Sequence, residues 1–315
     1  MLFKNLCESS VSARLCKVLS LEAASPDETR DLIYNAAIDM AAEAERFSMS
    51  GDLWELFFAI AVILDENPVC RVYERRLPQH DIFRMIAHDI WKTHKRVKAV
   101  KEMIASDKRF EPLRVINNFS PRNETPLLRQ KYSYDDVSLL ASRFAAASSH
   151  IEMAAALGAF CGKRGIGKFA IDAAFTWDSA SKSLIPVDDI DPQTLSSLIG
   201  YESQKAELLA NTESFLLGNP SNNVLLFGDS GTGKSSSVRA LLNEPGFVGR
   251  GLRMIELRGD QFGDIPDILR LIRERNYRFI LFMDDLSFEE FEVGYKHLKA
   301  LIEGGLERKP DNTII

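Results

Sequence analysis

Along the first half of the chain, apolar residues recur at helical spacing. Leu32, Ile33, Ala36, Ala37, Met40 and Ala44 keep to one stripe of period 3.6, the signature of an amphipathic helix. Ser25-Pro26-Asp27-Glu28 supplies its start: Ser25 as N-cap, proline at the first helical position, and Glu28 three residues after the cap to close a capping box. Asp52 to Leu64 is apolar on nearly every side, which predicts a helix at the centre of a bundle, with Trp54, Phe57 and Phe58 in the core rather than around a ligand. Gln79 to Ala105 is helical again, with Ile82, Phe83, Met85, Ile86, Ile90, Val97 and Val100 as its apolar stripe. A polar loop over 117–125 then leads to an alanine-rich helix from Tyr134 to about Phe160.

Beyond Gly167 the period changes. Ala174 to Asp178 and Leu184 to Val187, separated by a short polar turn, predict a β-hairpin, and Asp188 to Pro192 reads as a linker. Thr194 to Leu217 is helical with a break near Gly200. Three short apolar runs follow, Val224–Phe227, Gly251–Leu257 and Arg278–Met283, with helical patterns after the first (from Ser235) and between the second and third (Asp264 to Arg275). Strands alternating with helices in this way predict a doubly wound α/β domain with a parallel sheet.

The first of those runs flows into Gly228-Asp229-Ser230-Gly231-Thr232-Gly233-Lys234-Ser235, followed by Ser236 and a helical stretch. This is a full G-x-x-x-x-G-K-[ST] pattern, which residue frequencies alone give in roughly one or two per cent of chains this long. Its glycines let the backbone wrap close to phosphate oxygens so that successive N–H groups form an anion nest. Lys234 would reach the terminal phosphates, the Ser235 hydroxyl would ligate Mg2+, and the helix N-terminus adds its dipole. A second G-x-x-x-x-G-K run, Gly162 to Lys168, has Phe169 where that hydroxyl belongs and reads as a glycine turn. The third run ends in Asp284-Asp285, carboxylates that a sheet would deliver beside the loop: Asp284 for the metal, Asp285 to orient and polarise the attacking water. Phosphoryl transfer needs its developing charge neutralised, and no arginine can be assigned to the far side from spacing.

Composition narrows the rest. A chain of 315 residues with 45% hydrophobic and 27% charged residues suggests about two globular domains. A net charge of -6 gives no global reason to bind nucleic acid or anionic membrane. The basic set Lys92, Lys95, Arg96, Lys98 and Lys101, read as lacking interleaved aromatics, is a solvated helix face rather than a nucleic-acid surface. Cys7, Cys16, Cys70 and Cys161 are far apart, and His80, His88 and His94 do not share a helical turn, so neither a disulfide framework nor a metal site is expected. The most apolar window, Leu53 to Leu64, is too short to span a bilayer, and the N-terminus lacks a signal-peptide core, so the expected location is the cytoplasm.

The phosphate loop and the strand ending in acids resemble the AAA+ superfamily, and more closely the DUF815 family of predicted ATPases. The residues carrying this are Ile199 to Lys205, Asn211-Thr212, Asn222 to Gly228, Gly233 to Ser236, Asp284 to Glu289, Leu298 to Ala300 and Glu303 to Glu307, within a stretch from about Phe175 to Ile315. The resemblance implies ATP as the nucleotide, with Ile199, Gly200 and Tyr201 against adenine and ribose. It also implies a homo-oligomer and hydrolysis to ADP and phosphate that remodels a protein partner held by the N-terminal helices. Asp285 stands where the AAA+ pattern has Glu, one methylene longer, a departure the DUF815 pattern shares. The chain stops at Asn312-Thr313-Ile314-Ile315, the opening of the strand that carries the sensor residue in that family, and it is therefore read as an N-terminal fragment of a longer protein.

The expectation is thus a mostly helical domain over 1–190, including the hairpin, and an AAA+-like P-loop domain over 191–315, truncated at its end. A nucleotide-gated module that barely hydrolyses is the principal alternative; a P-loop kinase or nucleic-acid motor is a further one, and the overall charge speaks mildly against the motor.

Overall fold

A computed structural model of the chain describes residues 11–20, 26–65, 82–122, 128–284 and 310–315. It divides into two compact units, Met1–Ile171 and Asp172–Ile315.

The first unit is helical among its described residues: α1 (Val11–Ser20), α2 (Pro26–Arg46), α3 (Leu53–Leu64), α4 (Ile82–Ser106), a 3-10 segment (Lys108–Asn118), α5 (Leu128–Ala146), α6 (His150–Arg164) and a short α7 (Lys168–Ile171). Pro26 opens α2 as expected, and Ile33, Ala36, Ala37, Met40 and Ala44 form its buried stripe. The Ser25 cap lies outside the described residues. α3 is the hub of the unit. Asp52 caps it by accepting from the Trp54 and Glu55 amides, and Trp54 and Phe58 are fully buried. Burying side chains of that size contributes roughly 1.5–3 kcal/mol each.

Two expectations here need correction. The single helix from Tyr134 to Phe160 is two helices, because Ser149 accepts from the Glu152 amide and caps α6, while the Glu152 carboxylate accepts from the Ser148 amide and hydroxyl. The loop over 117–125 begins as the end of the 3-10 segment, and Phe119 then exchanges two backbone hydrogen bonds with Gly51. Gly165 and Gly167 close α6 and turn the chain into α7; Gly167 donates to the Ile63 carbonyl, so this glycine run is occupied in folding.

The second unit is an α/β domain. Its five-stranded sheet runs β2 (Ser183–Pro186), β1 (Ala174–Asp178), β3 (Leu252–Leu257), β4 (Arg278–Met283), β5 (Thr313–Ile314), with β1 and β2 antiparallel and the remaining pairs parallel. The hairpin therefore belongs to the sheet: β1 pairs with β3, and the unit begins at Asp172 rather than at 191. Ile280 and Phe282 of β4 join a core with Leu208 and Phe215 of α8 (Glu202–Leu216) and Val238 of α9 (Lys234–Ala240). The alternate residues Phe279 and Leu281 point to the other face and are buried too, as a strand covered on both sides requires. α10 (Ile265–Ile272) buries Ile265, Ile268, Leu269 and Ile272 at helical spacing. Among the described residues, no helix is long and apolar enough to cross a membrane.

The run Val224–Phe227 is not a strand, contrary to expectation. One backbone bond, from the Val224 amide to the Ile315 carbonyl at 2.9 Å, ties it alongside the end of β5, and Phe227 is 89% exposed. Apolar composition favours a strand, but a ladder needs a neighbour along its length, and among the described residues this run has one only at its first position.

Candidate functional site

The glycine loop connects this extended run to α9. Gly231 and Gly233 sit at φ +77 and +82, a left-handed backbone that side chains rarely adopt, and a Cβ at either would meet nothing within 4 Å. Among the described residues, glycine is needed there for conformation rather than for space. Thr232 Oγ1 donates to the Asp229 carbonyl at 2.9 Å, bracing the turn, and Asp229 and Ser230 are exposed. The first amide bond of α9 runs from Ser237 to the Gly233 carbonyl, so the Lys234, Ser235 and Ser236 amides precede the helical ladder.

Three side chains define the site. Lys234 folds back over its own loop and donates to the Gly228 carbonyl at 3.0 Å and the Asp229 carbonyl at 2.6 Å. Ser235 Oγ donates to Asp284 Oδ1 at 2.5 Å, so the hydroxyl and the acid at the end of β4 meet, although 49 residues separate them. Arg239 then spans two carboxylates, Asp284 Oδ2 at 3.0 Å and Glu256 Oε1 at 2.9 Å. Burial works against the Arg239 charge, but its bonds to Glu256 and the charges of Glu256 and Asp284 outweigh that and hold its pKa above the ordinary value.

Sequence reasoning missed Arg239 and Glu256. Arg239 lies on α9 four residues past Ser235, one helical turn on, and Glu256 is a partly buried charge in an otherwise buried strand. Those spacings were visible, but not that they converge on Asp284. Asp285 lies outside the described residues, as do the stretches 286–289, 298–300 and 303–307 that contributed to the resemblance.

Ile199, Gly200 and Tyr201 form the turn between a 3-10 segment (Leu195–Ser197) and α8. Ile199 is 98% exposed, and Gly200 and Tyr201 are both left-handed, at φ +85 and +57. For a tyrosine that backbone is strained by about 1 kcal/mol and needs its surroundings to hold it.

The helical unit contains a second polar cluster. His94 Nε2 lies 2.7 Å from Glu55 Oε2, and Lys101 donates to Asp52 Oδ2 at 2.5 Å and Glu55 Oε1 at 3.2 Å. Burial opposes ionisation of Glu55, yet the His94 hydrogen bond and the Lys101 charge outweigh it and leave the carboxyl below its ordinary 4.5. A cavity of about 490 Å3 opens beside Asp52 and Glu55 against Ser138 and Ser142, but both carboxylates are already engaged by Lys101. Among the described residues, no three His, Cys, Asp or Glu side chains are grouped to hold a metal ion. The Cys161 thiol is buried in the helical core. His80, Cys7 and Cys70 lie outside the described residues.

An α/β domain with a mixed five-stranded sheet, and a glycine-lysine-serine loop whose serine meets an acid from the sheet, is the class that this geometry defines. Residues 170–315 match the family model described as Protein of unknown function (DUF815), so this part of the chain is similar to that family. Neither a curated protein nor a solved structure matches the chain.

Proposed function

We propose that the second unit is a P-loop nucleotide-binding domain of AAA+ type that binds ATP with Mg2+ and hydrolyses it to ADP and phosphate. The observation that carries this reading is the 2.5 Å contact between Ser235 Oγ and Asp284 Oδ1 at the end of a glycine loop. Two oxygens of the kinds that Mg2+ prefers are adjacent there, and Asp229 and Ser230 of the loop are exposed. Lys234 fits its role as well. Its ammonium rests on two loop carbonyls, partners that phosphate oxygens would replace with stronger charge-assisted bonds. Mg2+ bound there would neutralise charge developing on the transferred phosphoryl group. Lys234 and the loop amides would bind and orient the phosphates, and Asp285 would hold the water in line. The Val224 to Ile315 bond agrees with the AAA+ sheet order, in which the strand opening at Asn312 lies beside the loop's lead-in.

In the fuller proposal, this is a cytoplasmic ATPase that works as a homo-oligomer, with the N-terminal helices engaging a protein partner. Asp285, one methylene shorter than the usual Glu, favours a second reading in which the domain binds ATP and acts as a gate with little turnover. Phosphate release separates the two. The ATPase reading expects Mg2+-dependent release that Asp285→Asn reduces by at least about tenfold. ATP-induced thermal stabilisation with no release above background would support the gate, and neither response would refute both.

A further inference from the structure

We infer that Lys205 is a positioning residue for the base side of the nucleotide, an inference that rests on reading the glycine loop as an ATP site and the Ile199-Gly200-Tyr201 turn as its base-side segment. Lys205 lies on the first turn of α8, just after the Ile199-Gly200-Tyr201 turn, and only 8% of it is exposed. Its Nζ donates to the Leu198 carbonyl at 2.7 Å, to Glu202 Oε1 at 2.7 Å and to the Leu195 carbonyl at 3.3 Å. An ammonium group has three donors, and all three are used. Burying that charge costs several kcal/mol unless it is fully paired, so this lysine is not a solvated helix residue. It clamps the 3-10 segment against the start of α8.

The same stretch is held from its other side. Asn243 Nδ2 donates to the Asp191 carbonyl at 2.7 Å and the Gln193 carbonyl at 2.6 Å, and Glu244 Oε1 accepts from the Leu195 amide at 3.1 Å. Asn243 and Glu244 continue directly from the loop helix α9 through the 3-10 turn Leu241–Asn243. α8 also fixes the approach to the glycine loop: Asn211 and Asn222 exchange two hydrogen bonds at 3.0 Å each. The segment bearing Ile199 and Tyr201 and the loop bearing Lys234 are thus fastened to the same two elements. Ile199 is nearly fully exposed, so its position depends on the backbone behind it, and Lys205 holds that backbone from within. Prepositioning the segment removes an ordering cost from binding the base, whereas the phosphates, which meet the glycine loop, gain nothing from it.

The test uses the whole chain and two probes, ATP and tripolyphosphate, each with Mg2+, titrated by calorimetry. Lys205→Met keeps length and apolar bulk while removing the ammonium. It is expected to raise the Kd for ATP about tenfold and to leave that for tripolyphosphate within about twofold. Asn243→Ala loosens the other fastening and is expected to shift the same ratio by about threefold; if Lys205→Met does not melt cooperatively, this variant decides. Parallel weakening of both probes, an unchanged ATP Kd, or a wild type that binds ATP no more tightly than tripolyphosphate overturns the role given to Lys205. A wild type that binds neither probe refutes the nucleotide reading itself.

Discussion

The helical unit and the sheet unit each contain a cluster of charged side chains, and the two differ in what closes them. Glu55 and His94 are buried in the helical core, with Phe58 and Phe144 beside the imidazole ring and Lys101 paired with the carboxylate. Asp284 and Arg239 are partly open, with side chains 28% and 39% exposed, and among the described residues the Lys234 amine is bonded only to carbonyls of its own loop. A buried cluster whose carboxylates are already paired contributes to folding, even beside the cavity that Asp52 and Glu55 line. An open cluster whose members rest on replaceable partners can give them up to a ligand. On the function proposed above, the first cluster serves structure and the second chemistry, and the contrast can be broken from either side.

The largest effect should come from the buried cluster. His94→Leu leaves Glu55 buried with Lys101 as its remaining charged partner among the described residues, and chemical denaturation should show a loss of roughly 3 kcal/mol. The double variant Glu55→Met with His94→Leu should recover most of that loss, since an apolar pair of similar size needs no partner. If the double variant instead stayed folded but abolished ATP binding, the assignment of this cluster to folding alone would fail.

On the open side, Asp284→Asn should leave folding intact and reduce the Mg2+-dependent part of ATP binding about tenfold, ~1.4 kcal/mol, measured as the difference between titrations with Mg2+ and with a chelator. A variant with full Mg2+ dependence would remove Asp284 from the metal.

The smallest effect is one of pH. Glu55 has its carboxyl held below 4.5, so its stabilising contribution is complete above that value and is lost as pH falls through the lowered one. Lys101 is the mirror case: burial opposes its charge, but Asp52 and Glu55 raise its pKa, so its contribution is complete below 10.5 and is lost above the raised value. The stability advantage of the wild type over Glu55→Gln should therefore shrink in acid below pH 4.5. A constant advantage down to the acid transition would show that the charge is not what stabilises.

What could be read from the sequence follows from the range of the interactions involved. α3, β3 and β4 were legible because burial on nearly every side writes itself into composition. The start of α6 was also written locally, as Ser149-x-x-Glu152, and was passed over amid the alanines. The pairing of β1 with β3 and the failure of Val224–Phe227 to form a strand were not legible, since both depend on neighbours distant in the chain. At the site, the approach of Ser235 to Asp284 followed from a strand ending in an acid beside a glycine loop. The Arg239 bridge to Glu256 and the Lys205 clamp did not, because an arginine or lysine on a helix looks the same in sequence whether it faces water or a buried acceptor.

The account is tested most directly by titrating ATP with Mg2+ into the wild-type chain and into Lys234→Ala by calorimetry. The wild type should bind and the variant should bind roughly a hundredfold more weakly, ~2.8 kcal/mol, for the loss of a charged donor to the phosphates. Equal affinities in the two, or no heat of binding in the wild type, would contradict it.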